Sequence, residues 1–233
     1  MIKLTSKQQT IFEVVVVLGA MLLVKDIADR LGAIGAGSIA MWCGIFVATF
    51  FMKKQNITWK SRGFNLPSDG KSWFKSIGIA ILVVVLVLIF MATVVPIISS
   101  ALDVTIPKSS TDRFEFLLGN PLYLAIYLLV VIWIGAAIGE ELLMRGFLLN
   151  SLMSLFGERK AGVISAVLVH ATIFGMLHIS QGIPGIISTG IVAVIFALVY
   201  LYCGRKLFPL IIAHGLINSL GLIAYYVSDG KIT

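Results

Sequence analysis

Three short clusters in an otherwise apolar sequence carry the side chains needed to activate a water molecule. The first is Glu140, Glu141 and Arg145, in AIGEELLMRGF. The second is Phe174 and His178, in HATIFGMLH. The third is His214 and Asn218, in AHGLINS. All three histidines of the chain, His170, His178 and His214, therefore lie in or beside apolar runs. Ionisable groups in such runs are costly and by default point to function. Glu141 and Arg145 are four apart and can pair on one helix face, whereas Glu140 is turned by about 100° from Glu141. Phe174 and His178 share a face, as do His214 and Asn218. A helix bundle can thus gather Glu140, His178, His214 and Asn218 around one polar cavity.

The chemistry such a cavity supports is hydrolysis. Partial desolvation suits Glu140 to general-base work. It takes a proton from a water also held by His178, and the hydroxide attacks a peptide carbonyl. His214 and Asn218 donate hydrogen bonds to the developing oxyanion, each worth ~3–4 kcal/mol in comparable sites. Glu141, ionised beside Arg145, orients the helix. The same residue types leave a second route open, in which Glu140, His178 and His214 hold Zn²⁺ and lower the pKa of its bound water to ~7. Each cluster alone has a bland reading: a solvated salt-bridging face, a satisfied core histidine, a helix-to-helix hydrogen bond. All three in one apolar bundle are hard to explain as packing. His170 falls outside the clusters and reads as a core histidine bonded to a neighbouring carbonyl.

The elements that position these residues follow from composition. The chain has 233 residues, 59% hydrophobic and 12% charged, with a mean hydropathy of +1.03. A soluble domain is about 25% charged, so soluble, disordered and fibrous classes are excluded. Apolar runs lie at about 10–24, 33–52, 77–99, 121–139, 161–179, 184–202 and 207–227, and ~20 residues suffice to cross a bilayer. The expected fold is an all-α polytopic membrane bundle of about seven transmembrane helices plus short interfacial ones. SWFKSIG is expected along the membrane surface, and GFLLNSLMSLF (146–156) is too short to cross. Residues 1–120 supply N-terminal transmembrane helices and a basic cytoplasmic loop, and 121–227 the catalytic core, in one continuous membrane domain. The first run carries Glu13 and reads as a retained span, not a removed signal peptide.

The net charge of +7 reflects cytoplasmic loops rather than nucleic acid binding. With seven alternating spans, Lys3, Lys7, Lys53, Lys54, Lys60, Arg62, Lys71, Lys75, Arg159, Lys160, Arg205 and Lys206 fall on one side. Lys25, Arg30, Lys108, Arg113 and Lys231 fall on the other. This asymmetry predicts a cytoplasmic N-terminus in a cell membrane, and the short basic loops suggest a bacterial one. Cys43 and Cys203 have no metal-site spacing and suggest no disulfide framework. Depth raises a conflict. Straight helices of plain length put Glu140 near the inner surface, but His178 about 26 Å along a helix that starts there. Either the fourth helix continues past Arg145 and the fifth starts below the membrane, or a helix is broken or tilted.

The motifs EELLMR, FGMLH and HGLIN resemble the three motifs of the CPBP (CAAX protease and bacteriocin-processing, or Abi) family, which includes the Ras-converting CAAX prenyl endopeptidases. The resemblance covers about 136–221. It implies an intramembrane endopeptidase with Glu140 as the water-activating base and His178 as its partner. By the same resemblance His214 and Asn218 bind the oxyanion or a second water, and Glu141 and Arg145 complete the first motif. It leaves both the metalloprotease mechanism and the metal-free glutamate mechanism open. The expected substrate is a membrane-associated peptide or protein arriving through the lipid, in peptide maturation, bacteriocin self-immunity or envelope regulation. The alternative is a non-catalytic scaffold that keeps the fold and binds a partner membrane protein. A proton-coupled transporter is disfavoured, because the sequence shows no internal repeat.

Overall fold

The computed structural model describes residues 5–231 except 106 and 108. Lys3 and Lys108, assigned to opposite sides above, lie outside the described residues. In lipid a spanning backbone must satisfy its own polar groups, and the chain does so with helices. Among the described residues seven are long: α1 (Ser6–Arg30), α2 (Ala36–Lys54), α3 (Gly70–Ala101), α4 (Pro121–Phe156), α5 (Lys160–Met176), α6 (Gly182–Tyr202) and α7 (Phe208–Val227). Short turns at Ser109–Asp112, Glu115–Leu117 and Ile179–Gln181 connect them. The described residues contain no strand.

Five helical segments are long and apolar enough to cross a membrane, covering α2, α3, α4, α6 and α7. The other two differ for plain reasons. α1 carries Glu13 and ends in Lys25, Asp26, Asp29 and Arg30, which pair with one another at i, i+4. α5 is apolar but only 17 residues long. Broad apolar surface, such as Ile81, Leu82, Val85 and Ile89 on α3, faces outward, as lipid contact demands.

Local signals set the helix starts. Thr5 and Gln8 form a reciprocal capping box at α1. Asp69 caps α3, accepting from the Ser72 N–H at 2.9 Å. These bonds and the Ser68 and Ser72 hydroxyls hold its carboxyl below the usual range. Asn120 caps α4, with Pro121 in the first turn. SWFKSIG, expected along the surface, is instead the start of α3, a single helix of 32 residues. The Asp69 cap begins that helix before the apolar run, so no break separates the two.

α4 resolves the depth conflict. It is one helix of 36 residues that continues past Arg145 to Phe156, absorbing GFLLNSLMSLF. Its central part, Leu128–Leu149, has π-type winding, which elsewhere marks functional sites as single-turn bulges. Gly157 turns the chain, and α5 starts beside the end of α4: a Cβ at Gly162 would press on the Phe156 and Gly157 carbonyls. The two helices run antiparallel from a low start, so Glu140 sits near the middle of α4 and His178 just past the far end of α5.

Three basic loops are stitched together at the end where α4 and α5 meet. The Leu207 N–H donates to the Gly63 carbonyl at 3.0 Å, and the Tyr200 hydroxyl to the Arg62 carbonyl at 3.0 Å. Arg205 pairs with Glu158 through two bonds of 2.8 and 2.9 Å. Gly63 is at φ +94°, and a Cβ there would collide with the Arg205 carbonyl. The start of α1 lies at the same end. The Gln55 amide donates to both Glu13 oxygens at 2.7 Å and Gln9 adds a bond of 2.9 Å. That explains how an acid is tolerated in the first apolar run with only 6% exposure.

Candidate active site

Of the seven residues in the three clusters, Glu140, Glu141, Arg145 and His214 gather at one point. Glu141 is fully buried. Its Oε1 accepts from Arg145 Nη1 at 2.9 Å, along the helix, and from His214 Nδ1 at 2.9 Å, across to α7. The acceptor is a carboxylate, so Nδ1 carries the proton. The other ring nitrogen of His214 lies 3.8 Å from Glu140 Oε2. That oxygen is buried without a hydrogen-bond partner in the protein, and so is Glu141 Oε2. Glu140 and His214 side chains keep 19% and 12% exposure. Helix geometry therefore separates the neighbouring acids: Glu141 Oε1 is held by two hydrogen bonds, whereas Glu140 Oε2 has none.

Close helix approach makes these contacts possible. Gly215, next to His214, lets α7 lie against Trp133 of α4, and an added Cβ would sit 2.6 Å from the indole ring. Arg145, 1% exposed, is clamped between two rings, Phe174 at 4.9 Å on α5 and Phe196 at 5.1 Å on α6. Guanidinium over aromatic faces is favourable. Phe196 also meets His214 edge-on at 5.9 Å. Spacing did not reveal Phe196, which sits in a featureless apolar run. Asn150 was also missed, although a lone amide in GFLLNSLMSLF was a usable signal. It donates to the Arg145 carbonyl at 2.8 Å, to the Gly146 carbonyl at 3.1 Å and to the Tyr200 hydroxyl at 2.9 Å.

His178 joins through Phe174 rather than by touching Glu140. Its Nδ1 donates to the Phe174 carbonyl at 2.9 Å and its ring packs on Phe174 at 4.8 Å. The neutral ring then keeps its lone pair on Nε2. Antiparallel geometry sets the depth. Phe174 meets Arg145; one turn onward on α5 is His178, and about one turn back on α4 is Glu140. Both lie on the same side of that contact. α7 runs parallel to α5, so half-buried Asn218, one turn past His214, lies on that side too. The side chain of Asn218 shows no hydrogen bond among the described residues.

Among the described residues no three His, Cys, Asp or Glu side chains are grouped as metal ligands. The set Glu140, His178 and His214 is thus not assembled around one point, and Glu141 Oε1 is already engaged twice. The donor geometry does not fit a zinc centre. His170 is fully buried but bonds no carbonyl: both its ring nitrogens lack a partner, contrary to the expected satisfied histidine.

Residues 122–220, which span this whole site, match the family described as type II CAAX prenyl endopeptidase Rce1-like. That segment is similar to the CAAX-protease family. No curated protein and no solved structure matches the chain. The match begins in the first turn of α4 and ends within α7, so it contains every residue of the three motifs and leaves α1 to α3 outside. Five helices able to cross a membrane, together with the similarity of residues 122–220 to a membrane protease family, make this a multi-pass membrane protein.

Proposed function

We propose that the protein is an intramembrane endopeptidase that hydrolyses a peptide bond of a membrane-associated peptide or protein, using a water activated by Glu140. One observation carries this reading. A buried carboxylate oxygen without a partner, mid-way along a membrane helix, faces an imidazole nitrogen at 3.8 Å. That gap is too long for a direct hydrogen bond, and a water seated beside the pair can reach both groups.

Glu140 Oε2 accepts the proton of that water. His178, with its lone pair on Nε2, accepts the second hydrogen and aims the oxygen at the scissile carbonyl. His214 donates to the oxyanion through Nε2, which requires the ring to carry both protons. Glu141, bonded to the other ring nitrogen at 2.9 Å, supplies the balancing charge, and Glu140 is neutral while it holds the water's proton. The Asn218 amide is the second donor. Glu140 then returns its proton to the leaving amine. Arg145 keeps Glu141 ionised and, clamped by two rings, fixes α4 against α5 and α6. The basic end of the bundle, with the N-terminus of α1, is assigned to the cytoplasmic side of a bacterial cell membrane.

The deciding experiment compares membrane-proteome fragments from cells carrying the wild type and Glu140→Ala. The endopeptidase reading expects fragments that vanish in the variant while the protein remains folded and inserted. A scaffold would keep its cellular role in Glu140→Ala, and that result would replace the reading.

A further inference from the structure

The basic end of the bundle holds a polar cleft that the three motifs do not use. Its outer chamber, of about 280 Å³, lies between the start of α1, the end of α2 and the end of α4, and is lined by Ser6, Lys7, Gln9, Thr10, Gln55 and Ser154. A deeper chamber of about 30 Å³ shares Thr10, Gln55 and Ser154 with it and adds Glu13 and Arg62. Both cations of the cleft are unengaged. Among the described residues neither Lys7 nor Arg62 pairs with an acid, and Arg62 Nε is buried without a hydrogen-bond partner. Buried donors in native proteins are normally met. The uncharged lining offers acceptors. Gln9 and Gln55 turn their amide nitrogens to Glu13, which leaves their carbonyl oxygens free. The Thr10 and Ser154 hydroxyls commit their protons to the Ser6 and Ser151 carbonyls, at 3.0 and 2.8 Å.

We infer that this cleft is a lipid-headgroup site: Lys7 and Arg62 hold the phosphodiester, and the Glu13, amide and hydroxyl oxygens receive hydroxyl or ammonium donors from the head. Two cations and one carboxylate leave the lining a single positive charge, which one phosphodiester balances. A choline head has no N–H or O–H and satisfies none of the acceptors. Depth selects a lipid over a free ester. Ile11 and Phe12 of α1 are exposed and face acyl chains, whereas Ser6 and Lys7, one turn earlier, belong to the polar surface. The mouth of the cleft therefore sits where headgroups lie. Basic loops alone attract anionic lipid by charge; the buried Arg62 Nε and the oriented acceptors add a choice of head. Lipid held there is independent of the endopeptidase chemistry.

The full-length protein in detergent micelles, titrated with phosphatidylglycerol, phosphatidylethanolamine or phosphatidylcholine, reads the site through Tm, because a ligand bound by the folded state alone raises it. The glycerol lipid, the ethanolamine lipid or both should raise Tm saturably, and the choline lipid should not. Lys7→Gln and Arg62→Gln should each raise the half-saturating lipid concentration about tenfold or more, the scale of one charge-assisted hydrogen bond. Arg62→Gln keeps the backbone carbonyl to which Tyr200 donates, and Lys7 is exposed, so both variants retain the fold. Lys53→Gln removes an exposed cation outside the cleft and should bind as the wild type does. Protection by neither donor-bearing lipid, or equal protection by the choline lipid, would overturn the proposal. So would a loss in Lys53→Gln as large as in the cleft variants. Equal protection by soluble glycerophosphoglycerol at the same concentrations would replace the lipid with a free ester.

Discussion

His214 of α7 donates through Nδ1 to Glu141 of α4 at 2.9 Å, a bond across 73 residues of sequence. It makes the first and third motifs one unit. It also fixes which ring nitrogen of His214 is left to face Glu140.

Glu141→Gln should therefore destabilise the fold. It leaves the Arg145 guanidinium, 1% exposed, without its counter-charge. Breaking a buried pair by removing one partner costs about 3–5 kcal/mol. Thermal unfolding in detergent would show it as a clear drop in Tm, with activity lost in parallel.

Glu140→Gln should behave in the opposite way. Glu140 Oε2 has no hydrogen bond to lose, so Tm should stay near the wild-type value. Activity should fall by about 10²–10⁴, the scale of general-base catalysis. A Tm loss as large as that of Glu141→Gln would contradict the division of labour between the two acids.

Asn218→Ala should lower kcat by about 10²–10³, as loss of an oxyanion donor does, with little change in KM. Steady-state kinetics on a cleaved peptide separates the two parameters. A pure rise in KM would make Asn218 a substrate-binding residue instead.

Much of this was legible in the sequence, for identifiable reasons. The Glu141–Arg145 pair follows from one helix's own period, so i, i+4 spacing was enough. Membership of a helical membrane bundle follows from apolar content alone. The rotation of α7 against α4 was not legible. That rotation decides that His214 bonds Glu141 and only approaches Glu140, and it is set by shape, notably Gly215 against Trp133. The Phe196 contact with Arg145 is of the same kind. His178 was legible as a motif residue, but its depth was not, because nothing in GFLLNSLMSLF announces that α4 runs on unbroken to Phe156.

Gly63→Ala should undock the first basic loop. The position is at φ +94° and abuts the Arg205 carbonyl, and a side chain forced into such backbone costs about 1–3 kcal/mol. Limited trypsin digestion should cut faster after Lys60 and Arg62, while the helices resist as before.

The pairing of Glu141 with Arg145 inside a single helix bears on how the chain enters the bilayer. During synthesis α4 emerges well before α7 exists, so His214 cannot yet answer for either acid. A lone arginine at the centre of an inserting helix costs about 2.5–3.5 kcal/mol. Here cation and anion sit one turn apart on the same segment and neutralise each other at once. The newborn helix then presents the translocon with one uncompensated carboxylate, that of Glu140, before any later helix exists to restrain it.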